Sequence, residues 1–388
     1  MALYNRLSCR KDIIMMSRPN VEKLYTLCER ESYQILRRAE SLKGKKIALF
    51  PAGPTAQSFY YTLLNDYGVE AEFFIDNDPA LEGKIVCGKP VRMKPWELDP
   101  NFNDEYGIYI PTAARYYMQI AAQLEELGVT RIIHAHAFSA GHLWERYKQI
   151  FENLDDEQSK QAYLGAIYSL LTGDNSYIQC ENEQYFAHRK FESSLNEIVV
   201  DAGAYIGDTV EEYIKHGQGK VIIYAFEPYA EVLEKLEVRT KVLKSQWQLD
   251  DDCIVIIPAG VGAETKMLRF SKGNIVALTP DGLGDRELQV YSLDDYFKEK
   301  EPFTMLKSDI EGGEMDMLIG AETMIKKHKP KMALSIYHSP EDFAEIPEYV
   351  KLIVPEYNMA VRNHSNDYGD TILYCWCDES TGENEDIQ

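Results

Sequence analysis

The stretch "EIVVDAGAYIGDT", residues 197–209, decides how this chain is read. Apolar positions end in Asp201, and Gly203 and Gly207 follow, which predicts a short buried strand, a tight turn and the start of a helix. Such a turn lets backbone approach a ligand closely, and the helix start offers free N–H groups. The spacing D-x-G-x-x-x-G lacks the middle glycine of the dinucleotide fingerprint G-x-G-x-x-G. That weakens a nicotinamide reading and favours a nucleoside ligand without a pyrophosphate.

Outward from this turn the pattern repeats. "KVIIYAFEP" (220–228), "CIVIIPAG" (253–260), "FTMLKSDIEGG" (303–313), "KMALSIYHS" (331–339), "YNMAVRNHS" (357–365) and "DTILYCWC" (370–377) read as further strands, mostly separated by helices. Seven strands in a mostly parallel sheet follow, with an antiparallel edge hairpin closed by "NDYG" and a hairpin-like stretch at 266–279. Ligands of open parallel sheets bind beyond the carboxyl ends of the strands. The second strand ends in Glu227, a carboxylate able to accept both hydroxyls of a ribose, and the third in Ala259 and Gly260, small enough to leave room for a flat ring. The fourth ends in Asp309 and Glu311, with Glu314 at the next helix start, and the fifth in His338.

The first half alternates in the same way. "NVEKLYTLCERESYQILRRAESL" (20–42) is an amphipathic helix that Asn20 can cap; "KKIALFPAG", "AEFFID", "YGIYIP" and "RIIHAHAF" are strands between helices at 55–67 and 113–127. Gly53 stands at a phosphate-turn position and Asp76 at a ribose position, but the fingerprint is incomplete, so a nucleotide site and a packing or partner-binding role both stay open. His134 and His136 would share a strand face, where a core role outweighs a metal role. A polar helix follows, capped by Asp155 or Asp156 and ended by Gly173. The expected organisation is α/β with two Rossmann-like domains: an N-terminal helical segment at 1–42, a Rossmann-like domain at 43–146 with a candidate nucleotide site, a helical connector at 147–178, a second domain at 179–378, and an acidic disordered tail at 379–388.

Composition narrows the function. A formal charge of −22 argues against wrapping nucleic acid or lying on an anionic membrane. No run approaches the ~18 apolar residues of a membrane helix, and no signal-peptide core opens the chain, so a cytoplasmic protein is expected. The odd number of cysteines, 7, without paired spacing, fits reduced thiols; Cys375 and Cys377 read as small residues on one strand face.

Taken together, "EQYF" (183–186), "VVDAGAYIGDT" (199–209), "AFEP" (225–228), "LKSDIEGGEMDMLIGAETMI" (306–325), Pro330, "ALSIYHSPEDFAEIP" (333–347) and "DTILY" (370–374) resemble the FkbM-type class I methyltransferases, over about half the chain. The resemblance implies a seven-stranded Rossmann-like sheet, S-adenosyl-L-methionine as cofactor, and methylation of a hydroxyl on a sugar, nucleotide-sugar or other small metabolite. It places Asp201, Gly203, Tyr205 and Gly207 on the methionine and ribose side of the cofactor, Glu227 on the ribose, and Ala259 and Gly260 near the adenine. Tyr205 stands where the general motif has its middle glycine. Methyl transfer to a hydroxyl needs a proton acceptor, for which His338 is the first candidate because its ordinary pKa lies near neutrality; Asp309 would orient it or take the proton itself. Asp309, Glu311 and His338, with His364 approaching, could hold a metal, but tight ligand spacing is lacking and no metal is expected. A non-catalytic binding or assembly protein that retains the fold is the alternative, and a nicotinamide oxidoreductase ranks last.

Overall fold

The structure is a computed structural model that describes residues 20–112, 114–270 and 286–378. The expected tail at 379–388 and the first part of the expected N-terminal segment lie outside these residues. The chain divides into two compact units, one of residues 1–148 with 163–178, the other of 149–162 with 179–388.

In the first unit the helix Val21–Ser41 begins where Asn20 accepts the Glu22 N–H, as its sequence suggests. Strands β1 (Lys46–Leu49), β2 (Ala71–Ile75), β3 (Ile85–Val86), β4 (Lys89–Arg92), β5 (Tyr106–Ile110) and β6 (Ile132–His134) form a sheet of order β3-β4-β2-β1-β5-β6. All pairings are parallel except β3 with β4. His134 ends β6 and His136 lies in the helix Ala135–His142, so the two histidines do not share a strand face. Burial keeps the His134 ring neutral, with its pKa down to about 3, and its Nε2 lies 2.7 Å from the Thr112 carbonyl.

The second unit holds the expected seven strands: β7 (Ile198–Ala202), β8 (Ile222–Phe226), β9 (Ile254–Ile257), then, past three strands of a smaller sheet, β13 (Met305–Ser308), β14 (Lys331–Ser335), β15 (Asn358–Asn363) and β16 (Thr371–Trp376). Their order is β15-β16-β14-β13-β7-β8-β9, with β16 antiparallel to both neighbours. The smaller sheet joins β10 (Gly260–Val261), β11 (Lys266–Phe270) and β12 (Arg286–Tyr291). β11 pairs antiparallel with β12, and the rest of the hairpin-like stretch expected at 266–279 lies outside the described residues. No helix among the described residues is long and apolar enough to cross a membrane.

Strand order reverses at β7 and β13, where chain ends separate and leave a crevice. Gly203 sits there with φ +81, and a Cβ on it would lie 2.0 Å from the Asp309 carbonyl oxygen. Gly203→Ala is therefore expected to cost about 3 kcal/mol or more through left-handed strain and overpacking. Gly53→Ala, whose added Cβ meets nothing within 4 Å, is the control. A thermal melt checks both: the first should lower the midpoint by several degrees and the second should leave it unchanged.

Candidate active site

The site is built on a buried lysine. Lys307 of β13 and Asp201 of β7 are register partners, with side chains 2% and 0% exposed. The ammonium lies 2.9 Å from Asp201 Oδ1 and donates to the carbonyls of Gly203 (2.8 Å) and Ala202 (3.3 Å). Two carbonyls take hydrogen bonds from the ammonium, and Asp201 balances its charge. Burial alone would lower the lysine pKa, but Asp201 outweighs it and holds the group charged. Asp201, fully buried, thus holds the lysine beneath the glycine turn.

Above this pair the turn positions Glu227. Its Oε2 accepts the Tyr205 N–H at 3.0 Å and its Oε1 the Tyr229 N–H at 2.9 Å. Tyr205, 42% exposed and at φ +45, is presented by the turn to the crevice side. Gly207, at φ +83, starts the helix Asp208–His216. Ala259 is buried, and Gly260 begins β10, paired with Val290; it is a strand residue rather than part of a turn.

Beside the turn lies an acidic cluster around one imidazole. Asp309 Oδ1 accepts from Tyr337 Oη at 3.0 Å and Oδ2 from Tyr185 Oη at 3.1 Å. His338 Nε2 stands 3.4 Å from Asp309 Oδ1 and 3.7 Å from Glu311 Oε2, and Nδ1 stands 3.4 Å from Glu314 Oε1. Burial works against the imidazolium, but Asp309 and Glu314 outweigh it and push the pKa up to about 11. A pKa in that range favours the protonated ring at neutral pH and weighs toward Asp309 as the proton acceptor. Asp309 is held below the usual carboxylate range, burial being outweighed by His338 and Lys307. Glu311, at φ +58, and Gly312, at φ +96, turn the chain so that Glu311 and Asp309 face the same ring nitrogen.

Glu314 begins the next helix as expected, and it is buried. It is 1% exposed, and its Oε1 accepts the Ile310 N–H at 2.8 Å, because the helix Glu314–Gly320 folds its first turn back under the loop. His364 is not part of the cluster; its ring bonds the Glu181 carbonyl and Tyr374 Oη. In the first unit, Asp76 accepts the N–H groups of Ala52 and Asp78, which fastens the turn at Gly53.

Three residues of the site had no role assigned from sequence. Lys307 was legible as a lone cation in an apolar strand whose neighbouring strand carries a lone Asp201. Tyr337 stood next to His338. Tyr185 stood in the motif "EQYF" without a role, and it arrives from the segment before β7 at φ +73.

Residues 201–365 match the family model of the Methyltransferase FkbM domain. The crystal structure of Methyltransferase FkbM from Methylobacillus flagellatus KT is similar over 92% of this chain and 100% of that one, at 19% identity and a TM-score of 0.56. Fibrillarin from Aeropyrum pernix, in complex with natively bound S-adenosyl-L-methionine, aligns over 47% of this chain and 66% of that one, at 11% identity and a TM-score of 0.29. No curated protein matches the chain. The fold is that of the class I methyltransferases, and within the second unit residues 201–365 match the FkbM methyltransferase domain.

Lys307→Met is expected to cost about 3–5 kcal/mol, because it strands the Asp201 carboxylate in the core. Adding Asp201→Asn should recover a large part of that loss. Thermal melts of the single and double variants check the coupling; equal midpoints for Lys307→Met and the wild type would contradict it.

Proposed function

We propose that this chain is an S-adenosylmethionine-dependent methyltransferase that methylates a hydroxyl oxygen on a sugar, a nucleotide-sugar or another small hydroxylated metabolite. The observation that carries the reading is Glu227, buried at the carboxyl end of β8 and fastened to the glycine turn by the Tyr205 N–H. Each of its oxygens accepts one backbone N–H and keeps a lone pair for one ribose hydroxyl, so the group fits the cofactor. Asp201, Gly203, Tyr205 and Gly207 would form the methionine and ribose wall, and Ala259 with Gly260 the adenine side.

When bound, the cofactor supplies an electrophilic sulfonium methyl. The chain must hold the acceptor oxygen in line and take its proton, effects worth several kcal/mol and about 10²–10⁴-fold respectively. In our reading the accepting atom is Asp309 Oδ2, which faces Tyr185 while Oδ1 faces Tyr337 and His338. His338, as the cationic partner, offsets negative charge developing on the acceptor oxygen. The protein's acidic balance fits a small acceptor better than a polyanion. The first unit would recognise the acceptor or its carrier.

Calorimetry with S-adenosylhomocysteine tests the cofactor site. Wild type should bind, and Glu227→Ala should bind at least tenfold more weakly; no binding by wild type, or equal binding by the variant, would overturn the proposal. With a responsive acceptor, Asp309→Asn should lower the transfer rate about 100-fold or more while cofactor affinity holds. A variant with unchanged rate would remove Asp309 from the chemistry.

A further inference from the structure

We propose that the first unit holds a binding site for a small hydroxylated carboxylate built on a single ring, in a cavity beside β6. The cavity measures about 220 Å³, and every residue that lines it belongs to the first unit. Glu31, Gln34, Ile35 and Arg38 supply one wall. Positions three and four apart share a helix face, so these four form one stripe of the helix Val21–Ser41. Tyr117 of the helix Ala114–Glu126, the end of β6 and the end of the helix Glu157–Thr172 supply most of the rest. Neither Gly53 nor Asp76, the positions that suggested a nucleotide, lines the cavity.

Size and shape limit the occupant. Sites for drug-sized ligands run about 300–1,000 Å³, so this one takes a single ring with its substituents rather than a nucleotide. The Tyr117 and His134 rings lie 4.5 Å apart with 31° between their planes, and Ile35, Ala137 and Leu171 add apolar surface. Such walls favour a flat apolar body.

Two polar groups set its substituents. His134 is buried, and its Nε2 lies 2.7 Å from the Thr112 carbonyl, which can only accept, so Nε2 donates. The ring is neutral, and Nδ1 therefore keeps a lone pair that has no partner among the described residues. It calls for a hydroxyl and disfavours an anionic oxygen. Arg38 is the opposite case: its guanidinium has no ion-pair partner among the described residues, whereas the charge of Glu31 is offset by Arg30 at 2.6 Å. The guanidinium fork matches a planar carboxylate. With Glu31 also in the wall, one negative charge suits the cavity better than the two of a phosphate. Arg38 also acts on Tyr117, whose pKa burial raises and the guanidinium draws back, so cation and ring serve the same space.

The test is calorimetry on the intact chain with 4-hydroxybenzoate as the probe. One equivalent should bind, with a dissociation constant of about 1 mM or lower. Benzoate lacks the donor for His134 and 4-hydroxybenzamide lacks the charge for Arg38; each should bind at least tenfold more weakly. Arg38→Gln, at an exposed position, should weaken 4-hydroxybenzoate at least tenfold with an unchanged melting midpoint. No binding by the wild type, equal binding of either analogue, or unchanged affinity in the variant would overturn the site. The last result is also the one expected of a probe held in the crevice of the second unit. The inference does not rest on the methyl-transfer reading. Binding of 4-hydroxybenzoate in a chain that binds no S-adenosylhomocysteine would support the cavity site and overturn that reading, and the reverse result would overturn the cavity site alone.

Discussion

The second unit depends on one buried cation. Lys307 holds the end of β7 to β13 through Asp201 and two carbonyls, at the place where the sheet reverses its strand order. An ion pair in a core is weak evidence for net stability, since desolvation offsets much of the attraction. Its effect here is geometric. It fixes two carbonyls of a turn whose glycine leaves no room for a Cβ, and the adjoining Asp309 N–H is held by the Ala202 carbonyl at 3.1 Å. The turn and the Asp309 loop are therefore one construction. The first carries Tyr205 and Glu227, the second Asp309 and Glu311.

This construction separates two kinds of polarity. On the Glu227 side, backbone N–H groups satisfy a carboxylate that keeps spare lone pairs for neutral hydroxyls. On the Asp309 side, carboxylates surround one imidazole and leave buried atoms unmatched. A nucleoside suits the first and a cationic centre suits the second. Transfer of a methyl group from a sulfonium to an oxygen needs both within one crevice.

Much of the fold was legible because parallel sheets bury both faces of their strands, so each strand in the second unit reads as a short apolar run bounded by glycine, proline or acid. That Glu227 follows β8 was legible for the same reason, but its two backbone hydrogen bonds were not, because one comes from the turn after β7. The helix start at Glu314 was legible; its burial and its bond to the Ile310 N–H were not, because tertiary packing sets them. The pull of Glu314 on His338 was not legible, because packing rather than local pattern brings that carboxylate to the ring.

The central claim is that the glycine turn and Glu227 hold a nucleoside cofactor with its reactive sulfur toward the Asp309–His338 cluster. The most direct measurement is a crystal structure of the chain with S-adenosylhomocysteine. The account predicts both ribose hydroxyls within hydrogen-bond distance of Glu227 and the sulfur facing Asp309. A ligand bound with Glu227 uncontacted, or with its sulfur turned away from Asp309, would contradict it.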